Sequence, residues 1–289
     1  MSFEVFAAEV KVSPWFREFT EHTRKDDLRQ LARSLETKLM RDLGVSLPVT
    51  PNASALPPGS FFYPVEFTLN RNYVSRDDPS YYPTDNPIRR DHIFKVPMVS
   101  GSTWKGSLRA AAIELLLERP EEHFAAERLA LWKLFGDEKG EPGERDEGSL
   151  SAYLDRERPA SRETFRGLLS KEHGRDEDIH NKGRLRCFPT FFEKIGLDYL
   201  NPRDRTKRAG SVPITMEVVP AGTAGVLHIL YCPFDLIGRN EKMHGERQRD
   251  WRLLREAISH MMLVSGFGGK KSVGCGTALL DEPLPQEVP

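Results

Sequence analysis

The chain has 289 residues, 38% of them hydrophobic and 29% charged, with a formal net charge of −1. That supports a sizeable core and one large domain, and it excludes a uniformly basic surface, so any nucleic-acid contact must come from local clusters of Lys and Arg. Cys187, Cys232 and Cys275 lack CxxC or Cys/His spacing, which fits reduced thiols in a cytoplasmic protein and disfavours a zinc site.

The first 47 residues read as helical. Trp15, Phe16 and Phe19, then Leu28, Leu31, Leu35 and Leu39, recur at helical spacing, with Asp26 and Asp27 suited to a helix start and Gly44 to its end. The start of the chain shows neither a basic n-region nor a long apolar run, so no signal peptide is expected, and no stretch approaches the roughly 20 apolar residues that span a bilayer. Proline and small residues follow and mark a linker, so an N-terminal extension is placed at 1–58 and the main domain at 59–289.

FFYPVEFTL at 61–69 alternates as a strand does, and a long polar loop follows it. Residues 92–98 make a short strand candidate. Leu108, Ala111, Ala112, Leu115 and Leu116 predict a helix over 105–118, ended by Pro120. The charged stretch at about 137–182 reads as a surface insertion. Strand-like composition returns at 184–192, a basic loop occupies 201–210, and 211–219 with 224–231 predict a hairpin turning at 220–223. Trp251, Leu254, Ile258 and Met261 share one helical face, and a last strand is expected at 277–280. The order implies an α+β fold: a ferredoxin-like (RRM-like) antiparallel sheet with helices on one face.

Two blocks carry candidate chemistry. GFGGKKSVGCG at 266–276 is rich in glycine, and Gly268 and Gly269 permit close backbone approach beside the cations Lys270 and Lys271. It follows a helix, so it is no dinucleotide fingerprint. The block at 85–109 joins an Asp-Asn-Pro turn, the basic pair Arg89-Arg90, a Ser/Gly turn and a Lys-Gly helix start. There Ser102 precedes Lys105 and Arg109, which lie one turn apart, an arrangement suited to phosphate. The bland alternatives are a tight helix-to-strand turn for the first block and ordinary capping for the second. Trp104 is expected in the core. His92, His180 and His260 have no partner at metal spacing.

Taken in order, these segments resemble the RAMP superfamily of CRISPR effector subunits, in particular the backbone subunit of type III (Csm/Cmr-like) complexes. Asp85-Asn86-Pro87-Ile88 with Asp91, the run VSGSTWKGSLR at 99–109, Leu134-Phe135-Gly136, Gly183-Arg184-Leu185, Asp204-Arg205-Thr206 and the glycine-rich loop keep the family's order. Val99-Ser100-Gly101-Ser102 and Trp104 depart from its usual Ile-Pro-Gly-Ser and Leu. The resemblance implies a thumb hairpin, in which Arg203, Arg205, Lys207 and Arg208 face a guide–target duplex. It also implies binding to CRISPR guide RNA, target RNA and other effector subunits, in antiviral defence and without a membrane. Finally, it implies that Asp85 cleaves target RNA as an endoribonuclease residue, with Mg²⁺ as the metal it would hold; Asp91, Asp77 and Asp78 are the fallback carboxylates. A catalytically silent structural or capping subunit is the alternative. A stand-alone processing endoribonuclease, with His92 and Lys95 as its acid–base pair, is a third.

Overall fold

The computed structural model describes residues 55–76, 86–91, 96–137, 149–173, 181–200 and 214–289. The helices expected over residues 1–47, the thumb loop expected at 201–210, and Asp77, Asp78, Asp85, His92, Lys95, His180, Arg203, Arg205, Lys207 and Arg208 lie outside the described residues.

The centre is a four-stranded sheet. Strand β1 (Phe61–Leu69) pairs antiparallel with β7 (Ala224–Tyr231) on one side and β8 (Ala278–Leu280) on the other, and β7 pairs antiparallel with β3 (Leu185–Cys187). Helix α1 (Gly101–Leu117) follows β1, and helix α5 (Asn240–His260) follows β7. The order strand, helix, strand, strand, helix, strand, with spatial order β3-β7-β1-β8, is a split βαβ connectivity. The α+β reading holds. Alternation makes the sheet one-sided: Phe61, Val65, Phe67 and Leu69 of β1 are buried beneath α1 and α5, and Glu66 points outward. Phe61 meets Trp251 of α5 edge-on at 5.5 Å, and Phe67 meets Trp104 of α1 at 5.7 Å.

The local structure departs from expectation at several points. Helix α1 begins at Gly101, not Lys105, because Ser100 caps it, accepting from Thr103 N–H at 3.2 Å. The Ser/Gly turn is thus the first helical turn, and Lys105 sits beyond it. A second helix, α2 (Glu121–Phe135), follows Pro120 and went unread, since its two-sided burial, with Phe124, Leu129, Leu131 and Leu134 all inside, blurs the amphipathic period. The strand expected near 92–98 reduces, among the described residues, to β2 (Met98–Val99), paired with β4 (Thr190–Phe191). The expected hairpin over 211–231 does not form. Strand β6 (Ile214–Val218) pairs with β5 (Gly196–Leu200), so the turn at 220–223 passes from a two-stranded ribbon into the main sheet.

The charged insertion contains α3 (Leu150–Glu157) and α4 (Ser161–His173). Its two ends meet: Asn181 donates to the Trp132 carbonyl at 2.7 Å, and a Cβ on either Gly136 or Gly183 would strike the other's backbone. Helix α4 lays Phe165 against Ala125 and Leu129 of α2, with the Arg128 guanidinium 4.1 Å above its ring.

Candidate nucleic-acid interface

The two glycine-bearing segments of the sequence converge. Phe267 is fully buried, 4.4 Å from Trp104, 5.7 Å from Phe67 and 5.5 Å from Tyr73. The contact between Trp104 and Phe267 fixes the glycine loop beside α1. The Trp104 indole N–H in turn donates to Thr190 at 2.9 Å, so its one polar atom is satisfied.

The loop needs its glycines. Gly268 has φ +84, and a Cβ there would lie 2.5 Å from both the Tyr73 ring and the Val74 carbonyl. Gly276 has φ +74, and its Cβ would come within 1.9 Å of the Phe267 carbonyl. Gly269 N–H donates to the Val74 carbonyl at 2.6 Å. Lys270 adopts φ 56, the one positive-φ non-glycine residue among those described, and leads into the turn Lys271–Val273. A lysine held there is local strain of about 1 kcal/mol or more. A tight helix-to-strand turn is therefore real, and it also presents two exposed lysines.

Between this loop and α1 lies an open groove of about 430 Å³. Its floor is the small-residue face of α1: Thr103, Gly106, Ser107 and Ala110. Gly268, Gly269 and Lys271, packed against the Tyr73–Val74 segment, line the groove together with Tyr73, Ser75, Arg76 and Arg89. Among the described residues, three cations and no carboxylate line it. Small side chains and glycine let a polymer backbone approach the helix closely, which bulky residues would forbid. Gly106 has nothing within 4 Å of where its Cβ would stand. Arg89 N–H donates to the Ser75 hydroxyl at 2.9 Å, joining the two loop segments that bear them. Of the basic pair only Arg89 faces the groove; Arg90 pairs with Glu217 at 3.1 Å, beneath the surface.

The predicted site residues divide. Gly268, Gly269 and Lys271 line the groove, with Lys270 next to them, and Ser102 is exposed at the start of α1, 2.9 Å from Ser100. Lys105 and Arg109 do not join them. They lie on another face of α1, turned to the β3 edge, because Trp104 and Leu108 must face the core. Arg109 donates to the carbonyls of Phe135 and Gly136 at 2.9 and 3.0 Å, closing the end of α2. Burial, then the charges of Arg186 and Arg109, hold the Lys105 ammonium below its ordinary pKa. Asp91 donates its N–H to the Val96 carbonyl, at the base of the loop that leads to β2. Arg76, Arg89, Ser75 and Tyr73 were not singled out as ligands, although the basic pair was a visible signal.

Asp85 itself is not described, yet the residue after it is. Asn86 N–H donates to the Thr215 carbonyl, its side-chain amide donates to the Ser75 carbonyl at 3.1 Å, and its own carbonyl accepts from Glu217 N–H. Among the described residues no group of three His, Cys, Asp or Glu side chains could hold a metal ion. No helix of the described residues is long and apolar enough to cross a membrane.

No curated protein matches the chain. Among the solved chains similar to it are three from CRISPR complexes. One comes from a type III-B Cmr-beta complex bound to cognate target RNA: TM-score 0.41, 12% identity, covering 96% of this chain and 72% of that one. Another belongs to a type IV-B CRISPR complex: TM-score 0.45, 15% identity, 79% and 94% coverage. A third is from Cmr-beta in the apo state: TM-score 0.41, 15% identity, 76% and 96% coverage. The family model of the RAMP superfamily matches residues 78–278, a span that takes in α1, Arg89 and the glycine-rich loop, and the chain belongs to that superfamily.

Proposed function

We propose that this protein is a subunit of a CRISPR effector complex of the type III kind and that it holds guide RNA in the groove between α1 and the glycine-rich loop. The carrying observation is that groove: three cations and a floor of small residues, with no carboxylate among its described lining residues. A sugar–phosphate backbone is the ligand that such a channel suits, and sequence reading is left to base pairing. Membership of the RAMP superfamily supports the same reading. The test is RNA binding by the full chain with Lys271 and Arg89 both changed to Ala. Affinity should fall, and the dependence of log K on log salt should flatten by about 0.7 per lost phosphate contact. Wild-type affinity with an unchanged salt slope would reject the groove.

The same reading gives Asp85 the role of cutting guide-paired target RNA. Its carboxylate would accept the proton of a ribose 2′-hydroxyl as that oxygen bonds to the adjacent phosphorus; the P–O5′ bond breaks, the 5′-oxygen leaves with a proton from water, and a 2′,3′-cyclic phosphate remains, with Mg²⁺ supplying charge neutralisation when bound. The support is the resemblance of the Asp-Asn-Pro segment, together with the ties of Asn86 to Ser75 of the groove wall and to β6. Changing Asp85 to Ala should leave guide binding intact and abolish one set of cuts by the assembled complex. Unaltered cutting would make this a structural subunit.

A further inference from the structure

Among the described residues the helices pack on one face of the sheet, and the opposite face carries partly exposed side chains around a buried His228. Alternation places Phe62, Pro64 and Glu66 of β1 on it, with Val226, His228 and Leu230 of β7 and Arg186 of β3. In register, Arg186, Leu230 and Phe62 form one row across three strands. Phe188, whose N–H donates to the His228 carbonyl, begins the next. Phe62 lies parallel to the His228 ring at 5.5 Å and meets Phe188 edge-on at 6.0 Å. Phe62 and Phe188 remain partly open to solvent, while Pro64 and Glu66 are exposed. Burial holds the His228 imidazole below its ordinary pKa, so it packs in this shelf as a neutral ring.

One end of the shelf is cationic. Arg186 is anchored through a single nitrogen, Nη1, which donates to the carbonyls of Lys182, Gly183 and Leu185. Its Nε and Nη2 have no hydrogen-bond partner among the described residues, so a fork of donors stands ready in a fixed position. Lys105 comes to the same edge strand from α1. Among the described residues, the groups whose charges act on Lys105 are Arg186, Arg109 and Cys187.

We propose that this outer sheet face is a second RNA surface, separate from the groove, which takes an unpaired nucleotide. The base stacks on Phe62 and Phe188, and its phosphate meets Arg186 and Lys105. Charge selects the ligand: aromatic rings beside clustered cations with open donors fit an anion that carries a π-face, and single-stranded RNA supplies both at nucleotide spacing. The groove lies on the α1 side of the sheet, at Thr103, Gly106, Ser107 and Ala110, and the shelf on the other side, with Lys105 at the β3 edge. Two strands, or two parts of one strand, can therefore be held at once. The inference rests on the RNA reading above and adds a site to it.

Photocrosslinking tests it. The full chain is irradiated with a 4-thiouridine single-stranded RNA, as guide alone and then with a complementary target, and the crosslinked peptides are mapped. Crosslinks should appear in the peptides bearing Phe62 and Phe188 as well as in the glycine-rich loop, and the labelled strand identifies the source. Phe62→Leu with Phe188→Leu should weaken single-strand binding by about tenfold and leave the salt slope unchanged, whereas Arg186→Gln should flatten it by about 0.7. Crosslinks confined to the groove overturn the shelf, as does wild-type affinity in the leucine variant. Protein–protein crosslinks that place residues 1–54 over Phe62 in RNA-free protein overturn it too. Lys271→Ala separates the two ideas: a flattened salt slope there with a silent shelf removes only the second surface, and no effect at either place removes the RNA reading itself.

Discussion

Gly106 shows how a single residue separates stability from ligand contact. It lies inside α1 with open space where a Cβ would stand, so nothing in the fold requires glycine there. Gly106→Ala should raise stability by about 0.5–1 kcal/mol, seen as a higher Tm, because alanine loses less backbone entropy in a helix. If a phosphodiester backbone packs against that position, RNA affinity should fall in the same variant. Gly276 is the opposite case. Its positive φ and the approach of the Phe267 carbonyl leave no room, so Gly276→Ala should cost about 2–4 kcal/mol in chemical denaturation and displace the loop with its lysines. One glycine is thus fixed by conformation, and the other is free to be explained by a ligand.

At the scale of elements, a buried ionic network ties β3 to α5. Arg184 donates to Asp250 at 2.6 Å, to Glu246 at 2.6 Å and to both oxygens of Asp235; the Tyr231 hydroxyl donates to Asp250 at 2.8 Å, and Lys133 of α2 reaches Glu246 at 3.2 Å. Removing the central cation strands Asp250, which is essentially unexposed, so Arg184→Met should cost about 3–5 kcal/mol. The network also sets an acid limit. Burial pushes Asp235 and Glu246 up, but the hydrogen bonds and charge of Arg184 outweigh it and hold both below their ordinary values of 3.8 and 4.5. A carboxylate with a depressed folded pKa binds fewer protons in the folded than in the unfolded state. Its stabilisation is therefore complete above those ordinary values and is lost as the pH falls through the depressed ones. Denaturation midpoints should hold from pH 7 to about 5, drop steeply below 4, and drop less steeply in Arg184→Met.

Across the whole molecule, a net charge of −1 coexists with a groove whose described lining holds three cations and no carboxylate. The acidic residues are spent elsewhere, on the Arg184 network and on ion pairs of α2 with α3 and α4 such as Arg128–Asp155 and Lys133–Glu172. Binding should therefore be strongly salt-dependent although the protein is not basic overall. Raising salt from 50 to 200 mM should weaken RNA binding by about tenfold or more if several phosphates are held, measured by fluorescence anisotropy.

Local patterning was enough to locate β1, the face of α5 that carries Trp251 and Leu254, the last strand and the glycine loop, because alternation, helical period and glycine content act within a few residues. It also gave the α+β class and the ordered motifs of the superfamily. It did not give the partner of β6, the α2 helix, or the side of α1 on which Lys105 and Arg109 stand. Those depend on what each element meets. A helical period says that one stripe is buried, and the contact of Trp104 with Phe267 sets which of the remaining faces looks at the loop. Nor could sequence assemble the groove, since Arg76, Arg89, Gly106 and Lys271 are up to 195 positions apart and are brought together only when the sheet closes and a buried phenylalanine draws the loop against the helix.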